Sequence, residues 1–109
     1  MISRIWHGWT THPNADAYED LLRNEIFPGI QARRIPGYQG IQLHRRDLAA
    51  ETEFVTIMWF DSLDAVRSFA GADHDVAVVP SRARKLLARY DRHSAHYEVR
   101  ESLLPLQPG

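Results

Sequence analysis

An α+β fold is predicted for this chain by two observations. Segments of strand period and helix period follow one another in the order β-α-β-β-α-α-β, and the third strand segment is apolar on both of its faces. Length sets the frame. A chain of 109 residues makes one domain. Such a chain buries roughly two-thirds of the surface its unfolded form exposes, enough for one core.

Each element has a local cause. "ISRIWHGWTT" (Ile2 to Thr11) is rich in β-branched and aromatic residues and reads as a first strand, broken by His12-Pro13. Asn14 offers an N-cap, and Tyr18, Leu21, Leu22 and Ile26 recur at helical spacing, so Ala15 to about Phe27 reads as an amphipathic helix. Pro28-Gly29 should bend or end it, with a short continuation to Arg34. "IPGY" is a turn. "YQGIQLHRRD" and "EFVTIMWFD" read as a hairpin with "AAETE" at its tip.

Ser62 caps a second helix, "LDAVRSFA", whose Leu63, Val66 and Phe69 keep one face apolar. "GADHDVAVVP" is a connector. "SRARKLLARY" reads as a third helix with Ala83, Leu86, Leu87 and Tyr90 inward, and "HSAHYEVRES" as a fourth strand. With right-handed crossovers this order gives a ferredoxin-like split βαβ, a four-stranded antiparallel sheet with helices on one face. The domain is expected over residues 1–101 and a Pro-rich tail over 102–109.

On the third strand Val55, Ile57 and Trp59 point one way, and Phe54, Met58 and Phe60 the other. One small domain has helices for one face only. The second face calls for a partner, and a homodimer packed sheet to sheet is the simplest one.

Composition narrows the function classes. Lys+Arg number 13 against 14 Asp+Glu, so no strong field favours nucleic acid or an anionic membrane. There is no cysteine, which removes disulfides, thiolate metal sites and a Cys nucleophile, and fits the cytoplasm. "MISRIWHGWTTHP" has no apolar run of the length a signal peptide or a membrane span needs. No glycine-rich phosphate loop, dinucleotide fingerprint or Ser/His/Asp elbow is present.

Five segments carry a resemblance: "RIWHGWT", "PGYQGIQLHRRD", "TEFVTIMWFDSLDAVRSF", "GADHD" and "SAHYEV". Together they resemble the antibiotic biosynthesis monooxygenase family of dimeric α+β barrels, from Ile2 to about Glu101. The resemblance implies a pocket between sheet and helices, phenolic or quinol-like substrates, and oxygenation with neither metal nor flavin. A sister group that binds and degrades haem gives the alternative reading, with haem as cofactor. A non-catalytic small-molecule binder of the same fold is the third.

Under that resemblance Trp59 would form the pocket floor, beside Val55 and Ile57. His74 stands where family members often carry a pocket-facing His and would be the general base. His7 falls near an Asn of the haem-degrading relatives and would steady an oxyanion. Val55 stands where the oxygenating members carry Asn, so the chain departs from that pattern. Tyr18, Leu22, Phe69 and Tyr90, at core-facing helix positions, complete the expected pocket.

Other candidates read as structural. His93 and His96, three apart on a strand, would face opposite ways and could not chelate one ion, so no metal is expected. Arg82 to Arg92 reads as an amphipathic helix with a solvated basic face, not a nucleic-acid stripe. The sequence therefore predicts a cytoplasmic, homodimeric, cofactor-independent monooxygenase whose partners are a small aromatic substrate and O2.

Overall fold

The structure, a computed structural model, describes residues 1–104. Residues 105–109 of the expected Pro-rich tail lie outside the described residues. Strands β1 (Ile2–Thr10), β2 (Tyr38–Asp47) and β3 (Thr52–Phe60) form the body of one sheet in the order β2-β3-β1. The short strands β4 (Leu87–Tyr90) and β5 (Ala95–Glu98) both pair with β1 along its remaining edge. Every pairing is antiparallel, and the architecture is the expected α+β ferredoxin-like one.

Two elements differ from the sequence expectation. The helix expected over 81–90 stops after one turn, α4 (Ser81–Arg84), and Leu87–Tyr90 becomes a strand. Helix propensity in "KLLARY" loses to the edge of β1, whose backbone groups at Gly8 to Thr10 take Tyr90 to Leu87 as partners. The sheet thereby gains a strand beyond the four expected, and the expected fourth strand, His93 to Ser102, is β5. β4 covers the C-terminal half of β1, β5 covers Ile2 to Ile5, and the chain between them turns at Asp91, whose N–H bonds to the His7 carbonyl at 3.0 Å.

The first helical stretch runs through Pro28 without a break. Helix α1 (Ala15–Leu21) widens into a π turn (Leu22–Ile26) and resumes as α2 (Phe27–Ala32). Pro28 has no N–H to give to an i−4 carbonyl. The wider turn, closed by Phe27 N–H on the Leu22 carbonyl, takes up that mismatch and leaves Pro28 in the first turn of α2, where it is tolerated. Asn14 does not cap α1; its Nδ2 reaches across to the Leu86 carbonyl at 3.3 Å. Ser62 does cap α3 (Leu63–Ala70), accepting from the Ala65 N–H at 3.2 Å.

The helices cover one face of the sheet. Phe54, Met58 and Phe60 of β3 point into it and are buried, each fully buried ring contributing roughly 1.5–3 kcal/mol by removal from water. Phe60 and Met58 join Val66 and Phe69 of α3, while Phe54 joins Ala15, Tyr18, Leu22 and Ala83. These two clusters flank a gap, and the gap is where the site lies. No helix among the described residues is long and apolar enough to cross a membrane.

Candidate active site

An apolar cavity occupies the space between the two core clusters. It has about 60 Å³ of internal space, and about 540 Å³ when its open mouth is counted. Strand alternation builds the floor: Arg4 and Trp6 of β1, Ile41 of β2, and Thr56 and Met58 of β3. Tyr18 and Leu22 form one wall, Phe69 of α3 the other, and Val78 to Pro80 of the connector the rim. Burial pushes the Tyr18 hydroxyl well above its ordinary pKa, so it stays a neutral O–H.

Arg4 is the one charged group among the lining residues, and it is 3% exposed. Its Nη1 donates to the His74 carbonyl and to His96 Nε2 at 2.9 Å, and its Nη2 donates to the Val76 carbonyl at 3.1 Å. The guanidinium carbon lies 5.5 Å from the centre of the Phe69 ring. Burial pulls its pKa below the ordinary value, partly opposed by the field of Asp75. It nonetheless remains a cation.

His74, Asp75 and His96 stand behind Arg4, each offering a donor atom within 4.8 Å of the others. The hydrogen bonds argue against a metal ion there. A guanidinium can only donate, so His96 Nε2 accepts from Arg4 and its Nδ1 carries the hydrogen that faces Asp75 Oδ1 at 3.2 Å. Both ring nitrogens are then committed, and the fixed charge of Arg4 opposes a cation. His96 pairs with Arg4 of β1 from β5, whereas His93 lies before that strand, opposite Val76. The sequence argument that placed both histidines on one strand therefore does not describe them.

Of the residues expected in the pocket, Tyr18, Leu22 and Phe69 line the cavity. Val55, Ile57 and Trp59 do not; they stand on the opposite face of the sheet, half-buried, with Ile5 beside them. The alternation on β3 is as expected, but the helices cover the face of Phe54, Met58 and Phe60. His7 shares the uncovered face with Trp59. Its Nδ1 lies 2.9 Å from Glu53 Oε2, and Arg46 Nε donates to Glu53 Oε1 at 2.5 Å. Those two bonds, His7 first, hold the Glu53 carboxyl below its ordinary pKa.

Tyr90 packs on Trp6 with ring centroids 6.0 Å apart and lines a separate, basic depression with Arg84, Arg92 and His93. The His74 ring packs edge-on against His96 at 5.2 Å, so only its carbonyl reaches Arg4. Sequence reasoning missed Arg4 and Trp6. The available signal was parity: Arg4 shares a strand face with Trp6 and Thr10, a charge on the side of the central strand that the helices cover.

No family model and no curated protein matches the chain. The fold does have counterparts among solved structures. A protein from Bacillus cereus that carries the name antibiotic biosynthesis monooxygenase superposes with a TM-score of 0.65 at 13% identity, over 93% of this chain and 94% of that one. The chain has the antibiotic biosynthesis monooxygenase fold. SnoaB, a cofactor-independent oxygenase from Streptomyces nogalater, shares that fold with a TM-score of 0.55 at 19% identity, over 94% and 96% of the two chains. Identity this low speaks for the fold, and the chemistry has to be argued from the cavity itself.

Proposed function

We propose that the chain is a cytoplasmic, homodimeric, cofactor-independent monooxygenase of a phenolic or quinol-like aromatic molecule. One observation carries the reading: the cavity is apolar and aromatic, and its single charged lining group is a buried guanidinium. A phenol loses its proton more readily beside such a cation, because the oxyanion is the form that Arg4 stabilises. Among the lining residues there is no carboxylate and no histidine, so the proton leaves to solvent or to the substrate's own groups. The electron-rich anion then reduces O2 away from bulk water.

The balance needs no further reductant. A ring CH2 in its enol form becomes a carbonyl: its carbon supplies four electrons, one oxygen atom enters the C=O and the other leaves as water. Trp6, Tyr18 and Phe69 hold the ring. His74 serves through its carbonyl, which fixes Arg4. Trp59, Val55, Ile57 and His7 belong to the sheet face that packs on the second subunit.

Oxygen uptake with a panel of hydroquinones and anthrones tests this. Saturable uptake above the spontaneous rate is expected, with ¹⁸O from O2 in the product. In Arg4→Met the rate should fall by about a hundredfold or more, the usual scale for losing one charge-stabilising donor. Absence of uptake with every member of the panel, or a rate indifferent to Arg4, would overturn it.

A further inference from the structure

Arg4 is a buried cation that, among the described residues, makes no ion pair and feels Asp75 only as a field. Among the described residues no carboxylate lies within ion-pair distance of it, although it is 3% exposed. Buried charges are ordinarily paired, because an unpaired one loses its hydration with nothing to replace it. A guanidinium carries five N–H groups. Three of those on Arg4 go to neutral acceptors, the His74 and Val76 carbonyls and His96 Nε2. The Nε–H and one Nη2–H remain without a partner among the described residues. Nε and Nη2 together form one edge of the fork, and an edge of that kind matches the two oxygens of a carboxylate.

We infer that the cavity takes an aromatic carboxylate, whose two oxygens are read by the free edge of Arg4 while its ring lies among Trp6, Tyr18 and Phe69. The selectivity is chemical. A neutral amide of the same shape offers one acceptor and two donors, and a donor facing a guanidinium N–H is a repulsive contact. A phenolate, with one oxygen, can take one of these N–H groups but cannot span the edge as a carboxylate does. The carbonyls of His74 and Val76 and the His96 ring hold the fork in place before the ligand arrives, so little ordering is left to do on binding. The inference rests on reading the cavity as the substrate site and not on oxygenation taking place there.

The test compares 2,5-dihydroxybenzoate with 2,5-dihydroxybenzamide, titrated anaerobically at pH 7 and followed by tryptophan fluorescence and calorimetry. The acid should bind at least about tenfold tighter than the amide, as a charge-assisted bidentate pair predicts. In Arg4→Met that preference should shrink to within about twofold, and in Arg4→Lys it should be intermediate, since the charge stays and the edge is lost. Equal affinities in the unaltered protein, binding of neither ring at millimolar concentration, or a preference that survives Arg4→Met would each overturn the inference. The comparison on the unaltered protein stands even if Arg4→Met does not fold. Acid preference without oxygen uptake would remove the oxygenase reading alone, and oxygen uptake without acid preference would remove this one alone.

Discussion

Arg4 Nη1 and His96 Nε2 are 2.9 Å apart, joined across 92 positions of sequence. The bond sets the histidine's protonation state: a ring nitrogen that accepts from a guanidinium has no hydrogen of its own. Burial first, and the Arg4 charge second, hold the His96 pKa below its ordinary 6.5. The cavity's cation and its pH response are therefore one structure.

A pH dependence follows from that pairing. The unfolded chain binds the His96 proton near pH 6.5, while the folded chain binds it at lower pH. Where the unfolded state holds more protons, stability rises with pH. His96 therefore contributes no loss above about pH 6.5, a growing loss as pH falls through the depressed folded value, and a constant loss below it. Urea midpoints between pH 5 and 8 would show this slope, and it should weaken in His96→Gln. His96→Leu, which leaves an Arg4 N–H buried without an acceptor, should cost about 1–3 kcal/mol at pH 7.

The uncovered sheet face makes a separate prediction. Ile57 stands at its centre, paired with Ile5 on one side and Gln42 on the other. In a sheet-to-sheet dimer Ile57→Asp would bury a charge in each subunit and raise the dimer dissociation constant by at least about a hundredfold. Sedimentation velocity should show a dimer for the unaltered protein and a monomer for the variant. A monomeric unaltered protein would sink the dimer.

Two glycines should respond with opposite sign. Gly37 has φ +85°, and a Cβ there would meet the Ala65 Cβ at 2.7 Å, whereas a Cβ on Gly29 within α2 would meet nothing within 4 Å. Gly37→Ala should destabilise by more than about 1 kcal/mol, combining left-handed strain with a clash. Gly29→Ala should stabilise by about 0.5–1 kcal/mol, as for alanine replacing glycine inside a helix. Thermal melts would separate them, and a loss of stability in Gly29→Ala would contradict the continuous helix through Pro28.

Ser62 gives a local prediction. Its hydroxyl accepts from the Ala65 N–H, the one side-chain cap among the helices of the described residues. Ser62→Ala should cost about 0.5–2 kcal/mol, and Ser62→Asp should keep most of the stability. A chemical denaturation series on the three proteins measures it.

What the sequence determined by itself is what depends on near neighbours. The β2–β3 hairpin, the Ser62 cap and the alternation that separates Phe54, Met58 and Phe60 from Val55, Ile57 and Trp59 all follow from residues a few positions apart. Tertiary structure decided which of two apolar faces the helices would cover, because a period of two fixes which residues share a face and is silent about what packs there. That choice placed Trp59 outside the cavity and Trp6 within it. It also turned Leu87–Tyr90 from helix to strand, since the open edge of β1 supplied backbone partners from far away in sequence. Arg4 belongs to the same class: its acceptors lie 70 to 92 positions away, and only folding brings a buried cation, neutral acceptors and an apolar cavity to one point.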